Sequence, residues 1–483
     1  MAIRSAEQYK AGLKDGRAVF FKGNRVQDVT QHPDLGVGVE HVALDFTLAE
    51  EPAYQDLMTV KIPETGEIIS RYFKTPTNTA DLLKRREMIE TSTRLGSGVV
   101  LLIKEIGTDA LFTLSLIAKR LDEKYGTDYF NRVKQYHQHC QDTDKSMAVA
   151  QTDVKGDRSL IPSEQVHPDY YVRVVEERED GIVVRGAKAH TTCAPYVDEI
   201  IVLPTRNLTE VDKDYAVAFA VPANTPGLKM IASSLGSPPS DDFHHPVSSN
   251  HRMIESLTIF DDVFVPKERV FMSGEWDFAG TLATTFVQFH RFTAVSYKPP
   301  LCDLLTGAAA LIADYNGISR ASHVREKLMH LISYVETVRA LSKAAAVDCT
   351  HVDGVAIPNS IVTNLAKFYF ASNYHQIVSY VQDIAGGLVV TGPSEEDVTS
   401  PETGHYIEKY LGGRQGVTTL ERLKLINLIR DLTASDFGGY NEVLAIHAEG
   451  SLEAQKITIY REYDLERCKS LAKQAAAIEQ DME

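Results

Sequence analysis

The feature that most constrains the fold is a change in hydrophobic period along the chain. Residues 1–145 are mainly amphipathic helix in pattern, and residues 146–275 hold short β-branched and aromatic runs closed by Pro, Gly or Asp. Beyond residue 300 the helical period returns, and strands never alternate singly with helices, which argues against a doubly wound parallel sheet. The pattern predicts an α+β protein with three segregated units: an N-terminal helical domain (1–145), a compact β domain (146–275) and a C-terminal helical bundle (276–483).

Helix ends are marked within the two helical units. Asn78 precedes a helical run and has Asp81 three residues later, which predicts an N-terminal cap. The apolar stripe that begins at Leu111 stops at Gly126, as expected for a helix C-terminus. In the third unit, apolar residues recur at intervals of three and four from residue 324 to residue 341, which predicts a long bundle helix.

Charge and cysteine content narrow the class of protein. The chain of 483 residues is long enough for several units that share a core, and its net charge of -16 argues against a nucleic acid or an anionic membrane as partner. Charges occur throughout the first 30 residues, and no apolar run approaches the roughly 20 residues that span a bilayer. The five cysteines lie far apart without a CxxC pair, which predicts a cytoplasmic protein with reduced thiols and no zinc site.

One short segment stands out against the acidic composition. The stretch AVAQTDVKGDRSL (148–160) places two cations, Lys155 and Arg158, around Gly156. A surface turn with solvated charges is one interpretation, and a loop that contacts a phosphate-bearing ligand is the other. RGAKAHTT (185–192) follows about thirty residues on, whereas GxSxG, HExxH, Walker and GxGxxG signatures are missing. The residues alone leave both interpretations open.

Several stretches, taken in chain order, resemble one flavoprotein family: TDVKGDRSLIPS, EEREDGIVVRGAKAHTT, IFDDVFVPKERVF, FHR, GAAALIADYNG, SHVREKL and DIAGGLVVTGPSEED. They are similar to the family that joins 4-hydroxyphenylacetate 3-hydroxylases with 4-hydroxybutyryl-CoA dehydratases, from about residue 6 to the last helix. The resemblance implies the fold of acyl-CoA dehydrogenases, with an N-terminal helical domain, a central β-barrel-like domain and a C-terminal four-helix bundle. It also implies bound FAD and a homotetramer.

The resemblance also implies which residues hold FAD. Backbone amides with Gln151 or Thr152 would face the isoalloxazine ring. Lys155 and Arg158 would neutralise or shape the polar part of the ligand. Gly386 and Gly387 either form an ordinary helix C-cap or let a helix end from a neighbouring subunit approach the cofactor. The remaining residues assigned to the cofactor are Ala150, Gly156, Asp157, His190, Thr192, Gly386, Gly387, Gly450 and Ser451.

In the dehydratase branch of this family, three cysteines and one histidine carry a [4Fe-4S] cluster, and the present chain departs from that pattern. The cysteine positions hold Leu101, Glu105 and Tyr297, and only the histidine, His290, remains. Leucine cannot ligate iron, and one histidine with one carboxylate is not a cluster site. We therefore expect FAD without an iron-sulfur cluster and no other metal. The usual radical route to removing an unactivated β-proton is lost with the cluster.

The candidate catalytic residues are His290, Arg291, Glu255 and Lys298. His290 is either a general acid or base over the flavin or a histidine hydrogen-bonded in the core. Glu255 either takes part in catalysis or ends a strand at the surface. Lys298, which precedes two prolines, is either catalytic or a helix-entry residue. The resemblance also places Ala294 where the dehydratases have an active-site tyrosine.

Three classes of function are compatible with these features. The leading prediction is a FADH2-dependent, two-component monooxygenase that acts on an aromatic or other electron-rich small molecule, with a separate flavin reductase as partner. The alternative is an oxygen-independent, FAD-dependent dehydratase or isomerase of an acyl-CoA that lacks the cluster. The third is a flavin-binding protein without catalytic activity, because the signatures of both branches are incomplete.

Overall fold

The computed structural model describes residues 3–63, 65–234 and 240–478. The N-terminal unit combines helices with short strands, in the order α1 (Ala6–Gly12), β1 (Ala18–Phe21), β2 (Asn24–Val26), α2 (Pro33–Glu50), α3 (Gln55–Met58), β3 (Thr59–Lys61), β4 (Ile68–Ser70), α4 (Thr79–Leu95), α5 (Glu105–Tyr125) and α6 (Tyr129–Asp142). Two predicted helix ends are confirmed here. The Asn78 side chain accepts a hydrogen bond from the amide of Asp81 at 3.0 Å and caps α4. Gly126 ends α5 in the left-handed conformation with φ of 68°.

The sequence predicts a helical N-terminal unit, but the structure shows a mixed one. Its strands β1 and β2 belong to the six-stranded sheet. β1 pairs in parallel with β10 (Leu228–Ala232) of the central unit, in the register Val19 to Met230, and β2 pairs with β1 on its other side. Val19 is fully buried, so the first strand contributes to the core of the sheet. Residues 18–26 thus tie the N-terminus to the β domain, and the three-domain division stays a prediction.

The central unit consists of two sheets, and the described strands do not close into the single barrel-like domain that the resemblance implies. Its strands are β5 (Met147–Ala150), β6 (Arg173–Arg178), β7 (Gly181–Lys188), β8 (Glu199–Val202), β9 (Val217–Pro222), β10, β11 (Ser256–Pro266) and β12 (Val270–Ser273). One sheet has the order β2-β1-β10-β11-β7-β6, and the other has the order β12-β9-β8-β5. β8 and β9 are almost entirely buried, as expected for strands covered on both faces.

The C-terminal unit is helical, as predicted, with one small hairpin. Its elements are α7 (Trp276–Tyr315), α8 (Ser322–Val347), β13 (Thr350–Val352), β14 (Val355–Ile357), α9 (Ser360–Ala385), α10 (Leu388–Thr391), α11 (Glu395–Thr399), α12 (Gly404–Tyr410), α13 (Thr419–Thr433), α14 (Asp436–His447), α15 (Leu452–Glu462) and α16 (Leu465–Ala475). The long helix predicted for residues 324–341 is confirmed as part of α8.

The bundle packs against both other units and creates the setting for a site. α7 contacts α8 and α9 along its length, α13 packs on α7 and α9, and α15 packs on α9. α7 also contacts α4 and α5 of the N-terminal unit. Met253, in the segment just before β11, packs against the hydrophobic core of the bundle. None of the described helices is sufficiently long and apolar to cross a bilayer.

Candidate functional site

A buried glutamate links the central sheet to the bundle. Glu255 immediately precedes β11, and its carboxylate accepts hydrogen bonds from the hydroxyl of Tyr440 on α14 at 2.8 Å and from that of Thr192 at 2.9 Å. Burial raises the pKa of Glu255 to about 7, although both hydrogen bonds favour the ionised form. A carboxyl group with this pKa can take up and release a proton at neutral pH, which is the property of a general acid or base.

A second buried glutamate has the opposite electrostatic environment. Glu449, between α14 and α15, accepts a hydrogen bond from the Tyr297 hydroxyl and lies 3.5 Å from Lys298 Nζ and 3.3 Å from Lys367 Nζ. Burial opposes ionisation of Glu449, but the two lysines outweigh it and lower its pKa to about 2. Burial, with repulsion from Lys298, lowers the pKa of Lys367 to about 7. Glu449 is thus a permanent anion that holds Lys298 in place.

Arg291 fastens the segment that carries Glu449. Its Nε donates to the carbonyl of Glu449 at 2.9 Å, and its Nη1 donates to the side-chain oxygen of Asn364 on α9 at 2.7 Å. A Cβ at Gly450 would lie 2.8 Å from Arg291 Nη2, so glycine is needed for the close approach of the guanidinium. Ser451, the next residue, caps α15 by accepting from the amide of Ala454. Within one chain, Gly450 and Ser451 therefore serve the packing of Arg291 and α15.

His290 directly precedes Arg291 on α7 and lies among buried polar groups. Its Nδ1 is 3.6 Å from Asp109 Oδ2, and its ring stacks on Phe286 with centroids 5.2 Å apart. Neither His290 Nδ1 nor Asp109 Oδ2 has a hydrogen-bond partner in the described structure. Asp109 is paired through its other oxygen with Arg85 at 2.8 Å. The ring is therefore neither surface-exposed nor saturated by the backbone, which keeps its role as an acid or base open.

One cavity is lined by residues that contact Glu255 and Glu449. Its polar lining includes Tyr440, Tyr297, Lys298 and Asn441, and its apolar walls include Val99, Met253, Leu301, Phe370, Phe437 and Leu444. The Lys298 ammonium lies 4.5 Å from the ring centre of Tyr297 and 4.7 Å from that of Phe370, which holds the charge at the cavity wall. The amide nitrogen of Asn441 is buried and has no hydrogen-bond partner among the described residues. Such a pocket suits an apolar chain with one electron-rich end.

The two loops predicted to frame FAD are in direct contact. Asp153 forms an isolated bridge with Lys188, and the amide of Ala189 donates to the carbonyl of Thr152 at 2.8 Å. Lys188 is buried, pairs with Asp153, and donates to the carbonyl of Gln151 at 2.9 Å. Ala150, just before, is buried at the end of β5 and pairs with Val202. The segments 150–153 and 188–192 therefore form one platform, and Thr192 connects it to Glu255.

The KGDR turn is only partly free for a ligand. Lys155 and Gly156 both have positive φ, and a Cβ at Gly156 would lie 2.3 Å from Gln165 Oε1, so the turn requires glycine. The Asp157 carboxylate accepts from the amide and hydroxyl of Ser159, and these hydrogen bonds lower its pKa. Asp157 thus shapes the turn. The Arg158 side chain is exposed and available to an anionic group.

The remaining residues assigned to the cofactor face outward in the single chain. His190 is exposed, with φ of 56°. Gly386 ends α9 with φ of 81°, as the helix C-cap interpretation requires. Gly387 has an ordinary φ of -62°, and a Cβ there would meet nothing within 4 Å. No contact within the described chain explains glycine at 387, which leaves room for a group bound from outside. This opening, the platform and the exposed Arg158 fit FAD.

The residues at the cluster positions do not fit an iron-sulfur cluster. Leu101 is fully buried and contributes only its carbonyl, 3.8 Å from Cys193 Sγ. Glu105 accepts a hydrogen bond from Tyr72, and Tyr297 is engaged with Glu449. Among the described residues, no group of three or more His, Cys, Asp or Glu side chains could hold a metal ion. The absence of a cluster stays a prediction, and no step of the chemistry is routed through one.

Sequence reasoning missed three residues that the structure places in the site: Tyr440, Glu449 and Lys367. Tyr440 is 185 residues from Glu255 along the chain, so no spacing could connect them. Glu449 lies within the stretch HAEGS, whose resemblance pointed to the flavin rather than to a carboxylate. Lys367 lies on a buried face of α9, where a lysine in an apolar period was the available signal.

Comparison with known proteins identifies the family. Models of the 4-hydroxyphenylacetate 3-hydroxylase N-terminal and C-terminal regions match residues 5–272 and 279–477. The 4-hydroxybutyryl-CoA dehydratase/vinylacetyl-CoA-Delta-isomerase of Clostridium aminobutyricum is 36% identical, over 99% of this chain and 100% of that protein. The 4-hydroxyphenylacetate 3-monooxygenase oxygenase component of Thermus thermophilus is 29% identical, over 96% and 95%.

Solved structures agree with this assignment. An oxygen-tolerant archaeal 4-hydroxybutyryl-CoA dehydratase from N. maritimus superposes with a TM-score of 0.94 at 34% identity, covering 100% of this chain and 96% of the other. The oxygenase component of 4-hydroxyphenylacetate 3-monooxygenase complexed with FAD superposes with a TM-score of 0.89 at 28% identity, covering 98% and 99%. The chain therefore belongs to the 4-hydroxyphenylacetate 3-hydroxylase family of flavoproteins, which includes the 4-hydroxybutyryl-CoA dehydratases.

Proposed function

We propose that this protein is an FAD-dependent isomerase of an unsaturated acyl-CoA thioester, working without oxygen and without an iron-sulfur cluster. The observation that carries the proposal is the pair of buried glutamates beside one cavity, whose pKa values are about 7 for Glu255 and about 2 for Glu449. When the environments of two carboxyl groups separate their pKa values in this way, one group can carry a proton and the other stays charged.

The chemistry matches a shift of a double bond. In a β,γ-unsaturated thioester the α-proton is acidified by the thioester carbonyl and by the double bond. Glu255, in its ionised form, takes this proton and returns it to the γ-carbon, so that the bond moves into conjugation. A single carboxylate serves both steps because its pKa lies near neutrality, where both of its protonation states are populated.

Lys298, positioned by its counter-ion Glu449, stabilises the negative charge that develops on the substrate. Removal of the α-proton places negative charge on the thioester oxygen, and a cation held beside a dry cavity stabilises it more effectively than water does. The Lys298 ammonium lines the cavity, and its counter-ion Glu449 is only 2% exposed. The apolar walls exclude water and accommodate the acyl chain.

FAD would be held by the platform of residues 150–153 and 188–192, with Arg158 and the opening at Gly387 on its polar side. When bound, FAD supplies reversible electron transfer and a flat surface against which the acyl chain is oriented. The loss of the cluster residues favours isomerisation over dehydration, since the β-proton of a 4-hydroxyacyl thioester is not activated. Isomerisation needs only the α-proton that Glu255 can remove.

A FADH2-dependent monooxygenase is the second candidate. It is favoured by the 29% identity to the Thermus thermophilus oxygenase component across almost the whole chain. This function would require a separate flavin reductase and an electron-rich, phenol-like substrate in the same cavity. For either function we propose a cytoplasmic homotetramer, because the glycine pair at 386 and 387 faces away from its own subunit.

Parallel assays under argon and under air separate the two candidates. Vinylacetyl-CoA is incubated with the FAD-loaded protein under argon, and formation of the conjugated thioester is followed by absorbance and mass. We expect conversion at the same rate with and without oxygen, and little after Glu255→Gln. Absence of conversion under argon, together with hydroxylation of a phenol when FADH2 and oxygen are supplied, would establish the monooxygenase instead.

A further inference from the structure

Glu255 does not reach the cavity directly. Among the described residues that line the cavity, Tyr440 is present and Glu255 is not. The Tyr440 hydroxyl lies 2.8 Å from Glu255 Oε1, so Tyr440 contacts the carboxylate and also belongs to the cavity lining. Thr192 donates to the same carboxylate at 2.9 Å, but it is not part of the cavity lining.

We propose that Tyr440 is a catalytic residue that relays the proton between the substrate and Glu255. The relay rests on the proposed function and specifies the atom that meets the substrate. It applies to any substrate of this cavity whose reaction starts with removal of an acidified C–H proton. Nothing in the sequence resemblance points to Tyr440, which lies in DFGGYNEV of α14.

The bonds and charges balance as follows. The C–H bond at the α-carbon breaks, its electron pair stays on the substrate, and the proton passes to the Tyr440 oxygen. In the same step the phenolic proton of Tyr440 passes to Glu255, so tyrosine is neutral before and after. The negative charge that Glu255 loses appears on the thioester oxygen, beside Lys298. Return of the proton to the γ-carbon follows the same path in reverse.

The electrostatics of Tyr440 require both proton movements to occur together. Burial and the neighbouring Glu255 raise the pKa of Tyr440 well above 10, so a free tyrosinate is not populated near neutrality. Cys193 and Glu449 also face Tyr440 and oppose its ionisation, and Tyr297 is a further ionisable neighbour. A tyrosine that donates to a carboxylate of pKa about 7 can pass a proton without carrying charge itself.

The relay is distinguished from a supporting hydrogen bond by comparing Tyr440→Phe with Thr192→Val. Each variant removes one hydrogen bond that lowers the pKa of Glu255, so each moves the pH midpoint of the reaction upward. Only Tyr440→Phe removes the atom that meets the substrate. Tyr374→Phe is the matched control, because Tyr374 is a fully buried tyrosine of the same bundle whose hydroxyl has no hydrogen-bond partner in the part of the chain that the structure describes.

The readout is deuterium uptake by vinylacetyl-CoA in D2O under argon, at saturating FAD, over a range of pH. We expect Tyr440→Phe to lose at least about a hundredfold of the exchange rate at every pH, within the range for a positioned acid or base. Thr192→Val should recover most of the rate at its raised pH optimum, and Tyr374→Phe should match the unmodified protein. Exchange in Tyr440→Phe that recovers in the same way as in Thr192→Val would overturn the relay.

A second measurement needs no turnover and decides the case in which Tyr440→Phe folds poorly or the unmodified protein shows no exchange. Butyryl-CoA, a saturated thioester, is bound to the FAD-loaded protein, and infrared difference spectra follow the protonated carboxyl of Glu255, identified by Glu255→Gln. The relay predicts a shift of this band on binding, retained in Tyr374→Phe and reduced in a Tyr440→His variant. No shift in the unmodified protein overturns the relay, whereas a shift without any exchange overturns the proposed function alone.

Discussion

Lys104 in the N-terminal unit and Glu449 in the C-terminal unit are both buried charges placed between two charges of opposite sign. Lys104 is fully buried and lies 2.7 Å from Asp45 and 2.7 Å from Asp144. Glu449 is 2% exposed and lies between Lys298 and Lys367. The first cluster is closed on all sides by protein, whereas Lys298 of the second lines a cavity. Burial of charge alone therefore does not indicate a site, and access to a cavity makes the difference.

The electrostatic consequences differ as well. Burial and the neighbouring Asp144 contribute to a raised pKa of Asp45, whereas the two aspartates raise the pKa of Lys104 against its own burial. Lys104 therefore stays protonated and positively charged. In the Glu449 cluster the carboxylate stays ionised, whereas one of the two lysines beside it, Lys367, has a pKa of about 7. The first arrangement lies wholly within the protein interior, and the second places the Lys298 ammonium at a cavity wall.

The largest effect is expected from Lys104→Met. It leaves two buried carboxylates without a counter-ion, which costs about 3–5 kcal/mol of stability for a broken buried pair. Thermal and urea unfolding of the FAD-free protein measure the loss. Lys119→Met is the control, since Lys119 pairs with Asp353 at an exposed position, where an ion pair contributes about 0–1 kcal/mol. An equal loss of stability in the two variants would show that the buried Lys104 ion pairs contribute no more than an exposed ion pair.

Glu449→Gln tests the second cluster. The amide keeps the shape of the side chain but removes the charge that positions Lys298, so turnover should fall about a hundredfold, as when one electrostatic stabiliser of a transition state is removed. Its stability should fall less than that of Lys104→Met, because Lys367 can lose its proton when the anion is gone. Rates under argon and unfolding curves of the same preparation give both quantities. A variant that unfolds but turns over normally would make Glu449 purely structural.

The cofactor platform gives the next effect. Arg158→Ala removes an exposed cation, and Thr192→Val removes a hydroxyl at the edge of the platform. A charge-assisted hydrogen bond is worth roughly 1.5–3 kcal/mol, which is about tenfold to a hundredfold in affinity. Titration with FAD should show this loss in both variants with little change in thermal unfolding. Unchanged titrations would return the KGDR segment to a surface turn.

The smallest effect is expected from His290→Asn. His290 Nδ1 lies 3.6 Å from Asp109 Oδ2, and an imidazole can donate or accept a proton in catalysis. The variant should keep FAD and thermal stability and lose at least about tenfold in turnover, since a positioned acid or base contributes about 10²–10⁴ in rate. Normal turnover would show that the histidine persists from relatives with a cluster, and loss of folding would make it a core residue.

The sequence predicts much of the local structure and only part of the site. The cap at Asn78, the stop at Gly126 and the helix around residues 324–341 follow from short-range rules and are confirmed. β1 and β2 have four and three residues, too few to show a strand period, and β1 pairs with β10, more than 200 residues away. Such pairing is decided by tertiary packing.

The site follows the same rule. Glu255, Lys298, His290 and Arg291 were selected through a family resemblance, and the structure brings all four close to Glu449 or to the cavity. Which of them moves a proton depends on burial and on partners from distant segments, such as Tyr440 at Glu255 and Lys367 at Glu449. These neighbours set the pKa values, and no spacing along the chain encodes them.

The central claim is tested most directly by the pH dependence of vinylacetyl-CoA isomerisation under argon. Glu255 must be ionised to accept the α-proton, and burial raises its pKa to about 7. The rate should therefore rise about tenfold per pH unit below neutrality and level off above it. Glu255→Gln should abolish this rise, and Lys367→Met, which removes the other group with a pKa of about 7, should keep it. A rate that does not change between pH 5 and pH 8, or a rise that persists in Glu255→Gln, would contradict the account.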